Sequence, residues 1–266
     1  MIDIQKLKDK YVDEGYSEKN AESRVCQDII LTAISKSSLS RNITIKGGVV
    51  MRSMTGNSRR ATQDLDMDFI RYSLSDESID MFLDKINCLE DMEIIRFGKI
   101  EELSQQDYNG KRVLIRIKDN SGAVIKSKID IGVHRYLEIE QEEYCFDIAF
   151  DEEGASLLIN SKEQMFTEKL RSLLKFGTLS TRYKDIYDIY YHCNQVDVEK
   201  LKVCLDIYIF NDSGMKENNL VDIIKRVKFV FGNDAYKNRV DKSDKRWIDD
   251  DIESVFNRII GFLEKL

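Results

Sequence analysis

Three aspartates at alternate positions, Asp64, Asp66 and Asp68, constrain this chain more than any other feature. In an extended strand, successive side chains point to opposite faces. The aspartates therefore share one face and Leu65, Met67 and Phe69 share the other. The apolar face packs on a core, which turns the carboxylates outward together. Neighbouring like charges repel, so the arrangement calls for something positive, and a divalent cation suits oxygen ligands. The competing reading is a solvated sheet edge guarded by charge. The preceding residues weigh against that reading. The apolar run Ile43–Ile45 leads into Gly47-Gly48, and Val49, Val50, Met51 and Met54 continue at helical spacing. Glycines allow a ligand close to the backbone, and a helix start offers free N–H groups to an anion. A phosphate cradle beside paired carboxylates suits a nucleoside triphosphate.

The rest of the sequence bounds the answer. Its 266 residues suffice for one large or two modest domains. A formal net charge of −7 argues against a general nucleic-acid coat, so any RNA contact needs a local basic patch. Cys26, Cys88, Cys145, Cys193 and Cys204 are scattered without metal-ligand spacing and read as reduced thiols. With no long apolar run and no signal-peptide core, the expectation is a cytoplasmic protein with no membrane contact.

In chain order, residues 1–11 read as a helix, and Ser17 as the cap of a second one reaching about residue 36, with Ala21, Val25, Ile29 and Ala33 inward. Ser75 caps a helix with Ile79, Phe82, Leu83 and Ile86 inward. Residues 92–99, 111–118 and 123–131 read as strands, the last two joined in a hairpin by Asn120-Ser121-Gly122. Asp130 faces opposite to Ile129 and Ile131. It is either a third site carboxylate on a neighbouring strand or an ordinary outward aspartate. The segment 139–150 is ambiguous. From about residue 160 the period becomes helical. Ser161-x-x-Gln164 is a capping box, Gly177 ends that helix, and helices follow near Lys184, over 198–208, 223–230 and 252–263. Strands early and helices late indicate an α+β chain in two parts, 1–155 and 156–266.

Two pairs of motifs carry a family resemblance. Lys46-Gly47-Gly48 precedes Arg60-Ala61-Thr62-Gln63-Asp64-Leu65-Asp66, and Glu168-Lys169-Leu170-Arg171 precedes Arg182-Tyr183-Lys184-Asp185-Ile186-Tyr187-Asp188. In this order they resemble the AbiEii/AbiGii-type nucleotidyltransferase toxins of type IV toxin–antitoxin systems, within the DNA polymerase β-like superfamily. The resemblance implies a polymerase β-like mixed sheet with helices, followed by a C-terminal helical bundle. It implies an NTP substrate, Mg²⁺ or Mn²⁺, a tRNA or other RNA acceptor, a cognate antitoxin and a role in abortive phage infection. Arg52-Ser53 departs from the apolar helix continuation common in that family.

The expected chemistry is metal-dependent nucleotidyl transfer. Asp64 and Asp66 would bind metal, and Asp130 would complete the set and orient the attacking hydroxyl. Gly47, Gly48, Lys46 and Thr62 would contact the phosphates, with Arg171 and Lys184 as further phosphate contacts. Only the resemblance raises Lys169 and Asp185 to catalytic candidates, since a helical lysine more often snorkels and an aspartate at a helix start is dipole-stabilised anyway. The rivals are an antibiotic-type small-molecule nucleotidyltransferase and a non-catalytic NTP- or protein-binding module on the same fold.

Overall fold

The computed structural model describes residues 2–103 and 110–266; Met1, part of the expected first helix, lies outside them. The chain divides into two compact units, Met1–Asn160 and Ser161–Leu266. The expected division at 155/156 falls within a strand that the sequence did not announce, so the first unit runs on to Asn160.

In the first unit, α1 (Ile4–Asp13) and α2 (Glu18–Lys36) precede β1 (Ile43–Lys46), which passes directly into α3 (Gly47–Thr55). Then come β2 (Leu65–Phe69), α4 (Asp76–Ile86), β3 (Met92–Arg96), β4 (Glu101–Leu103), β5 (Gly110–Asp119), β6 (Val124–Val133), β7 (Glu142–Ile148) and β8 (Asp151–Ile159). Seven strands order as β3-β5-β6-β2-β1-β8-β7, and β4 adds to β5. The sheet is mixed: β2 runs parallel to β6 and antiparallel to β1, while β1 runs parallel to β8. Leu65, Met67, Phe69, Ile129 and Ile131 are all within 1% of full burial. α2 packs across β6 and β8. It is buried almost all round, with Ala21, Val25, Ile29, Leu31 and Ala33 at 0% exposure. Each large apolar side chain so buried contributes about 1.5–3 kcal/mol.

Local chemistry fixes the registers. The β5–β6 hairpin turns at Gly122, whose φ of +89° suits glycine. Asp119 secures the turn by accepting the Ser121 hydroxyl and the Ser121 and Ala123 N–H groups, and it also takes the Ile4 N–H that opens α1. Although burial opposes its ionisation, these donors hold the Asp119 carboxyl below the usual carboxylate range. Ser17 and Ser75 cap α2 and α4 as their positions foretold.

The second unit is helical: α5 (Lys162–Phe176), α6 (Tyr183–His192), α7 (Val198–Leu205) with a π-helical turn Asp206–Phe210, α8 (Leu220–Phe231), α9 (Asp234–Asp241) and α10 (Ile252–Leu263). Ser161 accepts the Gln164 N–H at the start of α5. Together the units make ten helices and an eight-stranded mixed sheet among the described residues, with the C-terminal part entirely helical. No described helix is long and apolar enough to cross a membrane.

Candidate active site

Strand register assembles the charged residues of the first unit. Arg112 is the Cα partner of Asp130, Asp130 of Asp66, and Asp66 of Lys46. Four charged residues thus form one row across β5, β6, β2 and β1. Asp68 lies on the same face as Asp66, two residues along β2, and Asp64 immediately precedes that strand.

Most of these aspartates face a protein cation. Arg112 donates to both oxygens of Asp130, Nε and Nη2 each at 2.7 Å. That fork is the strongest geometry open to the pair, and it drives the Arg112 pKa further up. Lys46 Nζ lies 2.6 Å from Asp68 Oδ1, with both side chains below 10% exposure. Lys128 Nζ lies 3.0 Å from Asp64 Oδ1 in a half-exposed pair. Lys46, expected as a phosphate contact, is thus seated on Asp68.

The glycine pair abuts the same row. Gly47 has φ +69°, and a Cβ built on it would fall 2.7 Å from Asp66 Oδ2. A Cβ on Gly48 would fall 2.6 Å from the Thr62 side chain. No larger residue fits at either position without displacing Asp66 or Thr62. Lys46 occupies the N-cap position of α3 and gives it no side-chain cap, so the amides at Gly47 and Gly48 open the helix beside Asp66. The structure therefore brings Lys46, Gly47, Gly48, Thr62, Asp64, Asp66 and Asp130 into one neighbourhood.

In the second unit, Lys169 on α5 reaches Asp185 Oδ1 at 3.0 Å and Asp188 Oδ2 at 2.8 Å on α6. Asp188 is fully buried and also accepts the Trp247 indole N–H at 3.1 Å. The lysine is therefore held at 11% exposure and does not snorkel. Arg171 is committed to Asp212 Oδ2 at 2.6 Å and to the Tyr208 carbonyl. Lys184 is half-buried in the first turn of α6.

The three carboxylates expected to share a metal do not form a ready cluster; among the described residues no group of three His, Cys, Asp or Glu is close enough to hold one. The physical reason is the pairing of Asp130 with Arg112 and of Asp64 with Lys128. The donor set nevertheless fits a hard divalent cation. Asp66 and Asp130 are in register on parallel neighbours, all donors are carboxylate oxygens, and Gly47 leaves beside Asp66 the space a Cβ would fill. The sequence reading missed Arg112 and Lys128. For Arg112 the signal was the hairpin itself, because counting outward from Ser121, the middle of the turn, sets 112 opposite 130.

Comparison with protein families decides the assignment. The family model for the nucleotidyl transferase AbiEii toxin of type IV toxin–antitoxin systems matches residues 29–258. The chain belongs to the AbiEii family. Comparison with curated proteins finds no match. The AbiEii match spans both units, covering the acidic row of the first and the Lys169 cluster of the second.

Proposed function

We propose that this AbiEii chain transfers a nucleoside monophosphate from an NTP to an RNA acceptor, releasing pyrophosphate, and that a cognate antitoxin restrains it. The observation that carries the reading is the register of Asp66 with Asp130 beside the Gly47–Gly48 helix start. Asp64 and Asp66 would hold a divalent cation such as Mg²⁺, joined by Asp130 once Arg112 lets go. A cation held there supplies neutralisation of charge on the phosphates and lowers the pKa of a bound hydroxyl. The Gly47 and Gly48 amides bind phosphate oxygens at the positive end of α3. Asp130 orients the acceptor hydroxyl and takes its proton. Arg112, displaced from Asp130, carries its charge toward the triphosphate. Thr62 offers its hydroxyl from the loop beneath Gly48. Lys169, held by Asp185 and Asp188, is the candidate catalytic cation of the helical unit.

The test is incubation of purified protein with each α-labelled NTP, Mg²⁺ and either total RNA or an aminoglycoside. Label on RNA with one preferred NTP is expected. Label on the aminoglycoside alone would support the small-molecule reading, and label on neither would contradict transfer.

A further inference from the structure

A second feature of α3 has no part in that chemistry. Arg52 is 2% exposed, and its three guanidinium nitrogens, Nε, Nη1 and Nη2, have no hydrogen-bond partner. A buried guanidinium without acceptors from the protein is costly, since no carboxylate or carbonyl repays its lost hydration. Arg52 lines a cavity of about 560 Å³ between α1, α2, α3 and the β7–β8 hairpin, which is within the usual size of a small-ligand site. Lys10 and the Tyr16 ring also line it.

The other charges there do not neutralise Arg52. Arg24 is spent on Asp28, with Nε 3.2 Å from Oδ1. Glu14, Asp147 and Glu152 line the cavity but are exposed, so water screens them, and the half-buried Asp151 is paired with Lys36 at 3.0 Å. The cavity thus has a buried cation and an acidic, solvated rim. A rim of that sign disfavours a polyphosphate and admits a compact oxyanion whose remaining part carries hydroxyls or an amine.

We propose that this cavity binds a small metabolite through a single oxyanion group, a phosphate or a carboxylate, which docks bidentately on Arg52. The guanidinium fork matches either group, and it leaves no buried donor unpaired once the site fills. Because Arg52 lies one turn beyond the Gly47–Gly48 start of α3, an occupied cavity steadies the helix that carries the phosphate cradle.

The test is thermal unfolding and calorimetric titration of the full chain with inorganic phosphate and, separately, succinate, at constant ionic strength and with EDTA. Wild type is expected to show a saturable rise in Tm, and the probe with the lower half-saturation names the group. Arg52→Met is expected to lose that rise and to unfold at a higher temperature than ligand-free wild type, because an unpaired buried charge has gone. Arg52→Lys, which keeps charge but not the fork, is expected to retain a rise with half-saturation raised about tenfold or more. It gives the reading if the methionine variant does not fold. No saturable response to either probe, or an unchanged response in Arg52→Met or Arg52→Lys, would overturn the proposal.

Discussion

The two ends of α3 treat positive charge in opposite ways. At its start, Lys46 is seated on Asp68, and across the row Arg112 grips Asp130. Near its end, Arg52 is equally buried and has no acceptor. The difference teaches what each charge is for. A buried cation with a partner is part of the scaffold, and removing it strands a carboxylate in low dielectric. A buried cation without one costs stability in the free protein and becomes favourable only when something binds.

The largest effect is expected on the paired end. Asp66→Ala should lower turnover by roughly 10³-fold or more, since it removes the central carboxylate of the row, a contact on the scale of a preorganised electrostatic group. Initial rates with the preferred NTP check this, and a rate within tenfold of wild type would detach the row from catalysis. Lys46→Met sharpens the contrast directly. It should destabilise the protein by about 3–5 kcal/mol, the scale for stranding one partner of a buried pair, whereas Arg52→Met moves stability the other way. Urea unfolding of both variants decides it, and shifts of the same sign would erase the distinction.

Lys169→Ala extends the test to the second unit. From sequence a lysine there loses little when truncated, but it faces the fully buried Asp188, so a loss of about 3 kcal/mol is expected along with roughly 10²-fold in turnover. Lys169→Ala with unchanged Tm would show that Asp188 does not depend on Lys169.

A smaller effect comes from Asp28, which is both paired and buried. Burial pushes its carboxyl up to about 6, against the pull of Arg24 and the Tyr11 hydroxyl. The folded pKa lies above the unfolded one, so the native state holds this proton more tightly. Stability should therefore fall as pH rises from about 4 to about 6, by roughly 2–3 kcal/mol, and then level off. Asp119 and Asp212, whose carboxyls are held low, act below that window. Denaturant midpoints across the range should slope in wild type and flatten in Asp28→Asn. Equal slopes would mean that Arg24 fully compensates the burial.

Much of this was legible in the sequence. Alternation placed Asp64, Asp66 and Asp68 on one face, and the Ser161 capping box marked where the helices begin. What escaped had weak local signals. β8 opens Asp151-Glu152-Glu153-Gly154 and shows its inward set, Ala155, Leu157 and Ile159, only afterwards. α9 buries just Tyr236 and Val240, too few to set a period. Lys128 escaped because its partner Asp64 lies just ahead of β2, outside the hairpin, and pairing beyond a hairpin is a property of the whole sheet. Arg52 stood out as an oddity in an apolar helix, but a cavity cannot be read from spacing.

The central claim is that the row through Asp66 performs nucleotidyl transfer. Its most direct measurement is pyrophosphate release from the preferred NTP and an RNA acceptor in Mg²⁺, comparing wild type with Asp66→Ala after confirming that both unfold at similar temperatures. Release by wild type and none above background by the variant is the predicted result. Equal release by the two proteins would contradict it.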